Sequence, residues 1–339
     1  MPERRRAGRL TEASADRDAE PRPGGASAAP AGSGRLRLPR LSAHAQVLAA
    51  AYIAVAPALI LFGLFVIIPV LEGLWVSFHQ WDGLSPMVWN GLDNYSYVLQ
   101  DGIFWEAMWH TILFAIVTTV AKNVLGLGLA VLLNRPMRGR SFFRTVAFVP
   151  VLLAFVMIGI LWSWIYNPLF GILDQFLRAV GLGFLVQGWL SDPGVALFSI
   201  MVVDIWKWTG FHMVVYLAGL QQVPNELLEA AAVDGATNWQ RFWHVTVPLL
   251  RPVIVFNVLL SVVGGFVTTY DLVYVMTGGG PFHSTEVALT WIVSTTLKFL
   301  SVGEGSAMSV VLLAIVGSIG LAQVLLMTRG NPLDDEVEG

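Results

Sequence analysis

The sequence predicts an all-α membrane protein with six transmembrane helices. Of its 339 residues, 55% are hydrophobic and only 13% are charged, whereas a soluble domain carries about 25% charged residues. Its 13 Trp and 19 Phe are too many to hide in one water-soluble core of this size. Apolar runs of about 20 residues, the length of helix that crosses a bilayer, recur along the chain. These observations exclude an ordinary soluble enzyme.

The two ends of the chain differ in composition from the rest. Residues 1–45 are rich in Arg, Ala, Pro and Gly, and they contain too few apolar side chains to bury a core. A signal peptide is the alternative, but the apolar run begins near Val47, far beyond a short charged n-region. We therefore predict a disordered cytoplasmic N-terminal tail over 1–45 and an acidic cytoplasmic tail over 329–339.

Six apolar segments lie between these tails, and none contains more than two charged residues. Their continuous apolar character favours helices, because the strands of a membrane β-barrel alternate between apolar and polar residues. We predict a first transmembrane helix in 46–78, an extracytoplasmic loop over 79–110 and a five-helix core over 111–328. The six spans are Val47–Leu71, Thr111–Leu133, Val146–Tyr166, Val195–Leu217, Val253–Met276 and Met308–Met327.

The distribution of Lys and Arg predicts the orientation, because cytoplasmic loops carry an excess of both residues. With the N-terminus inside, all but four of the 20 Lys and Arg lie in the tails or the inner loops. Arg178 and Lys298 lie in outer loops, and Lys122 and Lys207 lie within spans. The prediction is therefore N-in and C-in.

The inner loop 221–251 has the most informative pattern, QQVPNELLEAAAVDGATNWQRFWHVTVPLLR. Pro224 or Asn225 can begin a short helix, since proline fits the first helical turn and Asn is a good cap. Gly235 is predicted to end this helix in a left-handed conformation.

A second short helix is predicted to follow in the same loop. Thr237 and Gln240 have the spacing of a capping box, and the helix is expected to stop before Pro248. Together the two helices form a compact helix–turn–helix at the cytoplasmic face. The alternative is an amphipathic interfacial helix that has no protein partner.

At this loop the sequence resembles the permease subunits of carbohydrate-type ABC importers, the binding-protein-dependent transport system inner membrane components, similar to maltose or glycerol-3-phosphate permeases. Their signature is Glu-Ala-Ala, then a Gly, then a Pro that closes the loop. The resemblance extends over 47–328 and includes 132–153, 205–224 and 270–281. The residues that match the signature are Glu229, Ala230, Ala231, Asp234, Gly235, Ala236 and Pro248.

The resemblance implies a type I ABC importer permease fold and import of a sugar or small oligosaccharide by alternating access. The signature residues would shape a coupling helix that docks on a cytoplasmic ATPase. The implied partners are a second permease subunit in a heterodimer, two copies of the ATPase and an extracytoplasmic substrate-binding protein. The last of these would face the loop Thr277–Pro281.

Catalytic chemistry is not expected in this chain. A phosphate-binding P-loop needs Gly-Lys followed by Ser or Thr, but Lys122, Lys207 and Lys298 follow Ala, Trp and Leu. ATP and Mg²⁺ are therefore expected on the partner ATPase, and this chain needs no cofactor. With no Cys and six isolated His, no metal site is predicted, and nothing indicates nucleic acid.

Polar residues inside the predicted spans are candidates for a translocation path, because a charge in the membrane is costly and usually functional. Asp204 and Lys207, three residues apart, are predicted to pair on one helical face, either as a structural pair or at the border of the path. Lys122 has no identifiable partner. The candidates in the fourth and fifth spans are Asp204, Lys207, Trp208, Phe211, Ser261, Thr268, Thr269 and Asp271.

Three other functions remain open. Glycerol-phosphate or another polyol is an alternative substrate, and a phosphorylated one favours a cluster of cations, for which Lys122 and Lys207 are the candidates. A secondary transporter usually shows internal repeats, and none is evident. A membrane-embedded enzyme needs clustered His, Asp or Cys residues.

Overall fold

The computed structural model describes residues 43–328, so the predicted tails lie outside the described residues except for 43–45, where the first helix begins. The first eight α-helices are α1 (Ala43–Phe62), α2 (Ile68–Val76), α3 (Asp93–Gln100), α4 (Gly102–Asn134), α5 (Arg140–Leu152), α6 (Phe155–Ile165), α7 (Ile172–Ala179) and α8 (Ala196–Leu220). They are followed by α9 (Asn225–Val233), α10 (Asn238–Arg241), α11 (Val247–Leu249), α12 (Arg251–Val267), α13 (Thr269–Met276), α14 (Ala288–Val293) and α15 (Val302–Thr328). Strands β1 (His79–Gln80) and β2 (Val88–Trp89) pair antiparallel.

Four helical segments of the described chain are long and apolar enough to cross a membrane, which agrees with the predicted helical membrane protein. They are Ala51–Val76, Gly102–Asn134, Arg251–Met276 and Val302–Leu325, and the bent pair of α5 and α6 is a fifth if it counts as one span. The predicted fourth span corresponds to α8, whose 25 residues are long enough but include Asp204, Lys207 and His212. The count of six spans and their orientation stay predictions.

The third predicted span, Val146–Tyr166, is wrong as a single continuous helix. The chain turns by 101° between α5 and α6, because Leu153 and Ala154 adopt extended backbone conformations. Pro150 lies inside the last turn of α5, and its missing N–H weakens the helix there. The bend leaves carbonyl groups without helical partners at membrane depth, where they need another donor.

Helix α4 is the centre of the bundle. It packs against α8 and α12, and its side chains belong to three apolar clusters in succession, through Phe104, Phe114 and Ala130. The helices approach closely where glycines replace larger residues, as small residues allow in membranes. A Cβ atom on Gly126 of α4 would lie 2.8 Å from the His212 Cβ of α8.

The segment between the first two spans is structured. Asp101 accepts hydrogen bonds from the N–H groups of Ile103 and Phe104, so α4 begins at Gly102, well before the predicted start at Thr111. In the β1–β2 loop, hydrogen bonds from the Ser85 and Leu84 backbone and from the Ser85 hydroxyl lower the pKa of Asp82 to about 2. The carboxylate therefore stays ionised throughout the physiological pH range.

Candidate functional site

The loop that carries the signature folds as predicted at its first helix and its first turn. Helix α9 runs over Asn225–Val233, and Gly235 follows it with φ at +84°. The N–H of Ala236 donates to the Ala231 carbonyl at 2.9 Å, and the N–H of Gly235 donates to the Ala232 carbonyl at 3.1 Å. These two bonds form a Schellman motif, which satisfies carbonyls at the end of the helix.

The second helix begins with the predicted capping box. The Gln240 N–H donates to the Thr237 hydroxyl at 3.3 Å, and the Thr237 N–H donates to the Gln240 side chain at 2.8 Å. The Arg241 guanidinium donates to the Leu228 carbonyl of α9 at 3.5 Å and to Asn238. The two short helices are therefore joined by a side chain as well as by the turn.

The prediction that the helical backbone stops before Pro248 is wrong. Helix α10 continues into a π-helical turn, Phe242–Thr246, and then into α11, where Pro248 occupies the first turn. A similar π turn, Gly63–Ile67, precedes Pro69 in the first span. A π turn shifts the hydrogen-bond pattern by one residue, and the proline then falls at a position that requires no N–H donor.

This segment, from Pro224 to Gln240, projects from the helix bundle, and none of its residues is buried. Val233 and Trp239 are 88% and 70% exposed. Of the signature residues, Glu229, Ala230, Asp234, Gly235 and Pro248 are exposed, while Ala231 and Ala236 are partly buried. Exposed apolar side chains on a well-capped segment make it a candidate interaction surface.

The predicted ion pair between Asp204 and Lys207 is wrong. Asp204 of α8 instead pairs with Lys122 of α4, whose ammonium lies 2.8 Å from the carboxylate oxygen. Both side chains are at most 2% exposed. The pair connects the two central helices, and it neutralises both charges within the bundle.

Lys207 has a different role, because its ammonium donates hydrogen bonds to the carbonyl groups at the C-terminal end of α5, where the third predicted span bends. It donates to the carbonyl oxygens of Leu153 at 2.6 Å and of Pro150 and Val151 at 3.3 Å each. It also lies 4.6 Å from the centre of the Phe155 ring at the start of α6, within the range of a cation–π interaction. A cation at a helix C-terminus stabilises it, so Lys207 holds the bend between α5 and α6.

Replacing Lys207 by Met tests this role. The substitution keeps the apolar stem but leaves three carbonyls without a charged donor, and we expect the free energy of unfolding to fall by about 3 kcal/mol. Lys207→Arg, which keeps the cation, is the matched control. The measurement is the unfolding midpoint of each purified variant in one detergent, and equal midpoints for Met and Arg would contradict the capping role.

A buried polar network adjoins the ion pair, since Asn123 directly follows Lys122 on α4. The Tyr216 hydroxyl donates to Asn123 at 2.6 Å, and the Asn123 amide donates to Ser261 at 3.0 Å. The two ring nitrogens of His212 lie 3.1 Å from the Ser261 hydroxyl and 2.9 Å from the Asn257 side chain. The network joins α4, α8 and α12 through side chains that hydrogen-bond inside the bundle.

The residues predicted for the translocation path therefore fall into two groups. Asp204, Lys207, Ser261 and Thr269 are buried and engaged with other helices or with their own helix. Trp208, Phe211, Thr268 and Asp271 are partly exposed. Only the second group presents side chains that a molecule outside this chain can contact in this conformation.

The loop after α13 is held by many short contacts. The Thr285 hydroxyl donates to the Gly280 carbonyl at 2.6 Å, and the buried Glu286 carboxylate lies 3.2 Å from the His283 ring. Phe282 has φ at +51° and is 92% exposed. The fold therefore presents an aromatic side chain on an ordered loop.

The sequence of the chain's core matches a known protein family. Residues 122–329 match the family model described as binding-protein-dependent transport system inner membrane component. The chain belongs to this family. It is 35% identical over 267 residues to the sulfoquinovosyl glycerol transport system permease protein SmoG of Agrobacterium fabrum, covering 78% of this chain and 86% of SmoG. It is 34% identical to the sn-glycerol-3-phosphate transport system permease protein UgpA of the same organism, covering 78% of this chain and 90% of UgpA.

The fold has a counterpart among solved structures. The crystal structure of a bacterial ABC transporter involved in the import of the acidic polysaccharide alginate contains a chain that is 22% identical to this family member, with a TM-score of 0.74, covering 85% of this chain and 98% of that chain. The predicted ABC importer permease fold is therefore confirmed.

Most of the buried network lies outside the residues predicted for the path. Asn123, His212 and Asn257 are not among the residues predicted for the path, although each is a polar side chain inside a predicted span. That placement is itself the available signal, because polar side chains within a bilayer need partners on other helices. Among residues 43–328 no group of three His, Asp or Glu is arranged to hold a metal ion.

Proposed function

We propose that this chain is the permease subunit of an importer that moves a sugar or small oligosaccharide by alternating access, driven by ATP hydrolysis on a separate chain. The observation that carries this proposal is the exposed and rigidly capped segment Pro224–Gln240, which coincides with the family signature. Neither a secondary transporter nor a membrane enzyme has a use for such a segment. ATP and Mg²⁺ are assigned to the partner ATPase, and this chain is assigned no cofactor.

The position of the segment supports a coupling role. It lies between α8 and α12 in the chain. Each of these helices contributes a side chain, Tyr216 and Ser261 respectively, that hydrogen-bonds to Asn123 of α4. A displacement of α9 by a closing ATPase pair is therefore applied directly to two helices of the core. Coupling of this kind requires that the ATP-bound partner favours one conformation of the bundle over the other.

A carbohydrate fits the described spans better than a phosphorylated polyol. The relative UgpA is named for sn-glycerol-3-phosphate and the relative SmoG for sulfoquinovosyl glycerol, so relatives alone leave both classes open. Lys122 is paired with Asp204, and Lys207 is bound to main-chain carbonyls. Neither intramembrane lysine is available to bind a phosphate, which removes the cations that the alternative substrate required.

Within this proposal, the partly exposed candidates form this subunit's side of the path. Trp208 and Phe211 are in edge contact on α8, with ring centres 5.8 Å apart, and Thr268 and Asp271 lie on the second half of the fifth span. Aromatic faces combined with hydroxyl and carboxylate oxygens suit the apolar faces and the hydroxyl groups of a sugar ring. The outer loop with Phe282 is assigned to the binding protein, and the rest of the path to a second permease.

Co-purification tests the proposed function. The tagged chain is extracted from its native membrane in a mild detergent, and the accompanying chains are identified by mass spectrometry. We expect a second permease and an ABC ATPase. A stable chain that carries neither, yet takes up substrate when reconstituted alone, would overturn the proposal in favour of a secondary transporter.

Glu229→Lys tests the docking surface itself. Glu229 is exposed on α9, and reversing its charge should reduce the amount of co-purified ATPase without changing the amount of chain in the membrane, because an interface charge pair becomes repulsive. Glu226→Lys, the same charge change in the first turn of that helix, is the control and is expected to have the smaller effect. Equal losses for both variants would show that net charge, and not Glu229, determines docking.

A further inference from the structure

The loop between α6 and α8 has a row of exposed apolar side chains that neither the family assignment nor the proposed function explains. Leu169 is 90% exposed, Ile172 is 67% exposed and Phe176 is 61% exposed. Val180 and Phe184 are exposed as well, and these five side chains, which lie on α7 and on the residues just before and after it, are called the apolar stripe. Such a contiguous apolar surface on an ordered element marks an interaction site.

The stripe points outward because the opposite side of α7 is fixed to the bundle. Asp174 is buried, and its carboxylate accepts a hydrogen bond of 2.7 Å from the Trp189 indole. The Trp189 ring stacks on Tyr166 at the end of α6, with ring centres 5.8 Å apart. Leu177 is also buried. The helix is therefore held in one rotation about its axis.

The exposed side of α7 is amphipathic. Ile172, Phe176 and Val180 are spaced by four residues, which places them on one face at 100° per residue. The exposed polar residues Gln175 and Arg178 lie beside this face and not within it. An apolar face with a polar flank is the pattern of a helix that lies along a membrane surface.

We propose that α7 lies in the interface of the bilayer, with its apolar stripe in the acyl region of the adjacent leaflet and with Gln175 and Arg178 in the headgroup layer. The predicted topology makes this the outer leaflet. The proposal goes beyond the transport function and does not depend on it, since it requires only that the chain is in a membrane.

Lipid is the occupant that the neighbouring surface favours. The outer surface of α6 is apolar and exposed at Met157, Leu161 and Trp164, and in a membrane protein such a surface contacts acyl chains. The stripe begins at Leu169, shortly after α6 ends at Ile165, so the apolar surface continues from the span onto α7. Trp164, which is exposed near the end of α6, adds an indole ring where Trp prefers to lie, at the membrane–water boundary.

The experiment uses the absence of Cys from this chain. Single variants Phe176→Cys and Ile172→Cys carry a nitroxide label on the stripe, and Gln175→Cys carries the same label on the polar flank as the matched control. Each labelled chain is assembled with its partner subunits in phospholipid nanodiscs. Relaxation by oxygen, which partitions into acyl chains, is then compared with relaxation by a water-soluble nickel chelate.

We expect the ratio of oxygen to nickel accessibility to be several-fold higher at positions 172 and 176 than at position 175. Two outcomes would overturn the proposal. Low accessibility to both reagents at positions 172 and 176 would place the stripe in a protein interface, such as that with a second permease. High nickel accessibility at both positions would place it in water. Uptake by the labelled assembly, measured separately, reports on the transport function and not on this proposal.

Discussion

Lys122→Met should severely destabilise the protein, and adding Asp204→Leu to the same chain should restore much of the loss. The single change leaves the Asp204 carboxylate buried without its partner, and breaking a buried pair in this way costs about 3–5 kcal/mol. The double change removes both charges and replaces them with apolar side chains of similar size. The measurement is the unfolding midpoint of each purified variant in the same detergent, with the yield of folded chain as a second readout.

The control for this cycle is the pair Lys207→Met and Asp204→Leu. Lys207 is bound to the carbonyls at the end of α5 and not to Asp204, so losing it and losing Asp204 should be close to additive. Lys122 and Asp204 should instead show a coupling energy of 1 kcal/mol or more, on the order found for residues in contact. Additive losses at 122 and 204, or strong coupling between 204 and 207, would contradict the observed pairing.

These two lysines also show how far sequence could predict the site. Hydropathy located the intramembrane charges and indicated that each needs a partner, because that argument depends only on composition and depth. The spacing of Asp204 and Lys207 then suggested a local pair. A lysine side chain is long enough to reach a neighbouring helix, however, and which helix lies within reach depends on packing that no local pattern encodes.

The sequence predicts the segment Pro224–Gln240 more completely, because its structure is local. The capping box at Thr237 and the left-handed Gly235 follow from residue types within four positions of each other. The wrong prediction that the helix stops before Pro248 also has a local cause. A π turn before Pro248 lets the helical backbone continue through it, and π turns have no simple sequence pattern. The bend at Leu153 cannot be predicted from hydropathy, because an apolar run has the same hydropathy whether the helix is straight or broken.

Gly235→Pro is expected to abolish transport while the chain remains in the membrane. Proline holds φ near −65°, and the observed +84° at this position cannot be reached, so the Schellman turn and the direction of the following helix are lost. The measurements are uptake, ATP hydrolysis and the membrane content of the chain. If the segment couples to an ATPase as proposed, hydrolysis that continues without uptake is the expected result, because the altered segment would no longer transmit movement to α8 and α12.

The graded series at position 235 separates backbone conformation from side-chain contact. A Cβ atom at Gly235 meets nothing within 4 Å in this chain, so within the chain the cost of a substitution is conformational. Asn adopts the left-handed conformation readily, whereas for Ala this conformation costs about 1–2 kcal/mol. Uptake should therefore decrease in the order Gly, Asn, Ala, Pro if the turn is what matters. Equal losses for Asn, Ala and Pro would show instead that the partner ATPase packs directly on this glycine and excludes any side chain.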